Sequence, residues 1–144
     1  MIEYIIFTDG SCRGNGNGGI GVVWLKNGEK ILEYSKFYSN TTNNKMELLA
    51  ILRGISIIKK PIDSLEIVSD SQYAIGVLTK PWNPKKNIEL IKHIRNVIKE
   101  KQKLVKTPIK WTHTRGHQVD DSENTKWNSY VDNLAQRESL YGIA

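Results

Sequence analysis

Four acidic residues, Asp9, Glu47, Asp70 and Asp132, are scattered along a chain of 144 residues, yet each falls at a strand end or on a helix that could carry it to a shared point. Carboxylates gathered together raise one another's pKa and resist folding, a cost that a divalent cation removes. Ligands that are all oxygen favour Mg²⁺ or Mn²⁺, and the chain has no Cys/His array of the kind that selects zinc. Two such ions about 3.5–4 Å apart would clamp the attacking and leaving oxygens of a phosphodiester during hydrolysis. Taken singly, the same acids also fit plainer roles. Asp9 would cap a turn, Glu47 would be an acid near a helix N-terminus, Asp70 would cap the next helix and Asp132 would be solvated. Spacing alone leaves both readings open.

Next to Asp9 runs FTDGSCRGNGNGGIGVVW, residues 7–24, in which Gly14, Gly16 and Gly19 make a literal G-x-G-x-x-G. A dinucleotide cradle needs a helix straight after its glycines, so that the helix N-terminus faces the pyrophosphate. Here IGVVWL follows, an apolar run rich in β-branched residues that reads as a strand. The match therefore comes from glycine density. The Gly/Asn cluster at 14–19 reads as a turn, though one whose backbone a ligand can approach closely.

The elements that must position these residues follow from periodicity. Residues 3–9 (EYIIFTD) read as a buried strand, 20–25 as a second, Asn27-Gly28 as a tight hairpin turn and 30–39 as a third strand. TTNNKMELLAILRGISIIKK reads as a buried helix, with Thr and Asn offering its N-cap and Lys59-Lys60-Pro61 its stop. Residues 64–70 form a strand, 71–78 a short helix, and 87–101 a helix with an apolar stripe at Ile88, Ile91, Ile94 and Ile98. A strand at 109–114 and a helix at 123–138 complete the chain. The order β-β-β-α-β-α-α-β-α implies an α/β domain spanning 1–144, with a five-stranded mixed sheet of three antiparallel strands and then parallel crossovers. A right-handed crossover between the first and fourth strands would bring Asp9 and Asp70 to the same sheet edge, with Glu47 on the helix packed above.

Composition narrows the setting. A hydrophobic fraction of 39% with 25% charged residues suits a soluble globular protein. No apolar run approaches the ~20 residues of a membrane span, and MIEYIIFTDG, with its acid at position 3, does not read as a signal peptide. The single Cys12 suits a reducing compartment, so a cytoplasmic monomer is expected. Net charge is +6, and Lys80, Lys85, Lys86, Lys92, Arg95, Lys99, Lys101, Lys103, Lys106, Lys110 and Arg115 face only Glu89 and Glu100 in that stretch. Such a segment attracts a polyanion, nucleic acid first, although a lysine-rich solvated helix face has the same composition.

Five segments in order resemble the motifs of the type 1 ribonuclease H family: FTDGSCRGNGNGGIG, TTNNKMELLA with its glutamate, IVSDSQYAI, TRGH and NSYVDNLA. The resemblance covers nearly the whole chain. It implies a ribonuclease H-like fold in which Asp9, Glu47, Asp70 and Asp132 bind two Mg²⁺, with Mn²⁺ able to substitute. It also implies endonucleolytic hydrolysis of the RNA strand of an RNA–DNA hybrid, giving 5′-phosphate and 3′-hydroxyl ends, in the removal of primers or R-loops. His117 would assist proton transfer or product departure. Cys12, Asn15, Asn43, Asn44 and Gln72 match positions that sense 2′-hydroxyls across the minor groove, a task that backbone and amide groups suit. Two features depart from the family pattern. The basic, tryptophan-containing handle of bacterial members is reduced to LTKPWNPKKN, so Trp82, Lys85, Lys86 and the basic third helix are expected to take its place. The stretch after His117, QVDDSENTKW, is lengthened and brings in Asp120, Asp121 and Glu123. Other polynucleotidyl transferases of similar fold, such as a junction nuclease or transposase core, usually carry extra domains, and a silent hybrid-binding module would gain nothing from four clustered acids.

Overall fold

The computed structural model describes residues 1–114 and 122–142. The elements are β1 (Glu3–Cys12), β2 (Gly18–Lys26), β3 (Glu29–Tyr38), α1 (Asn43–Ile55), β4 (Ser64–Ser69), α2 (Gln72–Thr79), α3 (Ile88–Gln102), β5 (Lys110–His113) and α4 (Glu123–Tyr141). Their order is the predicted one. The strands form one sheet, β3-β2-β1-β4-β5, antiparallel at β1–β2 and β2–β3 and parallel at β1–β4 and β4–β5.

Local chemistry explains the turns and helix starts. Asn27 and Gly28 both have positive φ, 50° and 86°, the backbone that a two-residue hairpin turn needs to match the strand twist. Thr42 accepts from the Lys45 N–H at 3.2 Å, and Ser71 from the Ala74 N–H at 3.0 Å, so each caps its helix. Ser71 thus takes the capping role that the plainer reading gave to Asp70.

The sheet separates two cores because side chains alternate across it. Toward α1, α2 and α3 point Ile6, Ile20, Val22, Trp24 and Ile67, packed against Met46, Leu48, Ile51 and Ile94. Toward α4 point Phe7, Val23, Leu25 and Val68, packed against Val131 and Leu134. Each such side chain contributes about 1.5–3 kcal/mol when fully buried.

Three boundaries differ from expectation by three residues or more. β1 continues past Asp9 to Cys12, because residues 9–12 still pair with β2, from Asp9↔Gly21 to Cys12↔Gly18. α1 stops at Ile55, before Lys59-Lys60-Pro61, where Ser56 caps the helix and the Trp24 indole N–H takes the Gly54 carbonyl at 2.8 Å. α4 extends to Tyr141 and ends at Gly142.

Candidate active site

β1 and β4 run parallel and in register from Glu3↔Ser64 to Thr8↔Ser69. Asp9 and Asp70 are therefore the next residue of each strand beyond the last pair, side by side at the C-terminal edge of the parallel ladder. This is where open α/β sheets carry their ligands.

α1 brings the third acid. Glu47 lies in its second turn, near the helix N-terminus as expected. The Gly10 N–H donates a short hydrogen bond to Glu47 Oε1 and lies 2.9 Å from Asp9 Oδ1. A Cβ on Gly10 would fall 2.4 Å from the Glu47 nitrogen and from the Met46 carbonyl carbon. Only a glycine next to Asp9 lets α1 come this near. Carboxylate oxygens of Asp9, Glu47 and Asp70 lie within 4.8 Å of one another. Asp132 is carried by α4, on the opposite side of the sheet, and its carboxyl is near enough to Asp9 to help raise that residue's pKa. The Gln136 amide, one turn on, donates to both Asp132 oxygens at 3.2 and 3.1 Å.

The electrostatics of this arrangement are severe. Asp9 is 3% exposed. Its burial, then the charges of Glu47 and Asp70 and the neighbouring Asp132 carboxyl, push its carboxyl up to about 12. Burial first, and then the charge of Asp70, hold Glu47 well above the ordinary carboxylate range, with the Gly10 N–H offsetting part of the rise. Among the described residues, the ion pairs are Lys30–Glu33, Lys103–Glu100 and Lys110–Glu66, and none of them relieves the cluster. A largely buried group of acids with no cationic partner among the described residues is satisfied either by protons or by a cation. The donor set, entirely carboxylate, fits a hard divalent ion.

The other predicted residues are placed less uniformly. The Cys12 N–H donates to Asn43 Oδ1 at 2.7 Å, joining the end of β1 to the start of α1, and the Cys12 thiol faces the Thr41 carbonyl at 3.3 Å. Asn15 is exposed in the turn and accepts from the Asn17 N–H at 3.0 Å. Asn44 in the first turn of α1 and Gln72 at the start of α2 are exposed. Lys85 and Lys86 are exposed in the linker between α2 and α3. In that linker the Trp82 ring lies on the backbone of Gly76, where a Cβ would meet it at 2.1 Å. Arg95 donates to the carbonyls of Val77 and Trp82 at 2.9 and 3.0 Å. Glu123 begins α4 and accepts from the Trp127 indole at 3.1 Å. His117, with Arg115, Asp120 and Asp121, lies outside the described residues.

Sequence reasoning missed the residues that tie the neighbouring elements together around Asp70. His113 Nε2 lies 3.2 Å from the Asp70 carbonyl, and the Thr114 N–H donates to the Ser69 carbonyl at 2.9 Å. The Thr114 hydroxyl donates to Asn128 Oδ1 at 3.2 Å, and Asn128 is buried at 7% exposure. The signal was present: Asn128, Asp132 and Gln136 recur every four residues, a polar stripe on one helix face.

Comparison with known proteins agrees with this geometry. A family model described as RNase H matches residues 2–139. A ribonuclease H of Clostridium botulinum (strain Hall) is 35% identical, the match covering 94% of this chain and 94% of its own. One of Actinobacillus pleuropneumoniae is 39% identical over 78% of this chain and 77% of its own. Among solved structures, LC11-RNase H1 in complex with an RNA/DNA hybrid superimposes with a TM-score of 0.74 at 24% identity, covering 93% of this chain and 94% of that one. That likeness shows the fold.

Proposed function

The chain belongs to the RNase H family, and from that premise we propose that it is an endonuclease hydrolysing the RNA strand of RNA–DNA hybrids to 5′-phosphate and 3′-hydroxyl ends. The observation that carries this reading is the convergence of Asp9, Glu47 and Asp70 within 4.8 Å at the end of the parallel ladder. A solved relative bound to an RNA/DNA hybrid supports the choice of substrate. The reading takes residues 1–144 as one catalytic domain acting as a monomer, and its cellular task as removal of RNA primers or R-loops.

In this proposal Asp9, Glu47, Asp70 and Asp132 hold two Mg²⁺, with Mn²⁺ able to substitute. The ions, when bound, supply the positive charge that activates the attacking water and stabilises the departing 3′ oxygen. The chain's own groups do the rest. Asp9 is fixed by its place in β1, and the Gly10 N–H orients Glu47. Gln136 orients Asp132. His117 moves a proton at the leaving side or aids product departure. Around the end of β1, the backbone near Cys12, with Asn15, Asn43, Asn44 and Gln72, reads 2′-hydroxyls, while Lys85, Lys86 and the basic face of α3 attract backbone phosphates.

The test is cleavage of an end-labelled RNA strand paired with DNA, in Mg²⁺, beside matched duplex DNA and duplex RNA. Cleavage confined to the hybrid is the expected result. Hybrid binding with no cleavage in Mg²⁺ or Mn²⁺ would replace the enzyme with a binding module.

A further inference from the structure

The glycine-rich stretch beside Asp9 is only partly a turn. The turn itself is residues 13–17, closed by the Arg13 N–H to the Asn17 carbonyl at 2.8 Å. Gly18, Gly19 and Gly21 lie within β2, where glycine weakens a strand and marks a close approach of other backbone. Alternation sends Gly19 and Gly21 to the same face as Val23 and Leu25, the face covered by α4. A Cβ on Gly21 would fall 2.5 Å from the Val131 carbonyl oxygen, 2.8 Å from Leu134 Cβ and 3.1 Å from the Ala135 nitrogen. A Cβ on Gly19 would fall 2.4 Å from the Ala135 carbonyl oxygen and 2.6 Å from Glu138 Cβ. The helix thus rests on bare strand backbone, and most of these atoms are main-chain atoms that no rotamer change can move aside.

Gly21 also stands directly opposite Asp9 in the β1–β2 ladder, and Val131 is the residue before Asp132. We infer that Gly19 and Gly21 are positioning residues that set the depth of α4 and so hold Asp132 against Asp9. The inference rests on the four-carboxylate reading proposed above. It also accounts for the glycine density: the segment accepts a helix that arrives much later in the chain, not a phosphate. An added methyl group requires a carbon separation of roughly 3.5 Å, so α4 must retreat by about 1 Å and carry Asp132 with it. Misplacement on that scale costs on the order of 10²-fold in rate, and disturbing a group that orients a metal ligand costs about 10–100-fold in affinity or activity.

The experiment compares Gly21→Ala with Asp132→Asn and with Ile58→Ala, a core variant remote from α4. Each is measured for fold by circular dichroism, for the Mg²⁺ midpoint of hybrid cleavage, and for the rise in Tm produced by Mg²⁺ alone. Gly21→Ala is expected to fold, to raise the Mg²⁺ midpoint about 10–100-fold, to shrink the Mg²⁺-induced rise in Tm, and to leave KM for the hybrid near wild type. Ile58→Ala is expected to lower Tm while keeping the wild-type Mg²⁺ midpoint. A folded Gly21→Ala with wild-type Mg²⁺ midpoint and Tm rise overturns the inference, however much stability it has lost. If Gly21→Ala does not fold, Gly19→Ala decides by the same readings. If neither folds, the glycines serve the fold and not the site, and the inference is again overturned. An Asp132→Asn variant with wild-type Mg²⁺ dependence would remove the four-carboxylate reading itself, an outcome distinct from the failure of Gly21→Ala alone.

Discussion

At the carboxylate end of the sheet, β1, β4, α1 and α4 meet through main-chain contacts. Gly10 lies under α1 and Gly19 and Gly21 lie under α4, and the central acid is 3% exposed. By contrast, the linker between α2 and α3 is held by two carbonyl bonds from Arg95, with Trp82 at 43% exposure and its lysines in solvent. The first region is determined from several directions at once, and the second is charge on a light frame. The difference matches the two physical tasks. Bond breaking requires reacting groups held within fractions of an ångström, whereas attraction of a polyanion depends on charge number and falls off smoothly with distance and salt. Substitutions in the first region should therefore change turnover, and substitutions in the second should change affinity and its salt dependence.

The largest expected effect is at Asp70. Asp70→Asn should lower kcat by at least ~10³-fold with little change in KM, because the proposal makes Asp70 a ligand acting only on the reacting centre; steady-state kinetics on the hybrid checks this. A comparable rise in KM instead would break the division between the two regions.

Next in size is the effect of pH on the metal-free protein. Asp9 is raised from 3.8 to about 12, and Glu47 is raised as well. Between the unfolded and folded pKa values, the folded state keeps protons that the unfolded state releases, so stability falls as pH rises above about 4. Thermal melts in a chelator should show Tm declining from about pH 5 to about pH 8. Mg²⁺ should reverse the decline, and Asp9→Asn should flatten it. A metal-free Tm that climbs over that range would show the cluster to be relieved by some other charge.

A smaller effect is expected on the binding face. Replacing Lys85, Lys86 and Lys92 together by Ala should reduce the slope of log affinity against log salt by about 3, about 1 for each phosphate left without its lysine, with kcat unchanged. An unaltered slope in a salt titration would remove these lysines from the interface. The smallest effect concerns the seat of Trp82. Gly76→Ala should displace its ring and alter hybrid affinity by only a few-fold, with Mg²⁺ dependence untouched; fluorescence titration with the hybrid measures it.

The sequence was most legible where one physical rule dominates. β-branched runs and the β-α-β order were enough to place Asp9 and Asp70 at one sheet edge, and the register ending at Thr8↔Ser69 puts them there. Legibility failed where a glycine replaces an apolar signal. Strand β1 reads as ending at Asp9 because residues 10–12 are Gly, Ser and Cys, yet they pair with Gly18, Gly19 and Ile20 across the ladder. The early end of α1 depends on the Trp24 indole reaching the Gly54 carbonyl, a contact between residues 30 positions apart. The tie from Cys12 to Asn43 and the stacking of Trp82 on Gly76 are likewise contacts that no periodicity announces. The polar stripe Asn128, Asp132 and Gln136 was readable by its spacing of four, but only the fold shows which element it faces.

The division between the two regions is tested most directly at Asp9. Turnover and hybrid affinity would be measured on the same preparation of Asp9→Asn, in Mg²⁺, beside the unaltered protein. Cleavage is predicted to fall by at least ~10³-fold while the hybrid dissociation constant stays within a few-fold. Cleavage that persists, or affinity that collapses together with it, would contradict the assignment of chemistry to the carboxylate end and of binding to the surfaces around it.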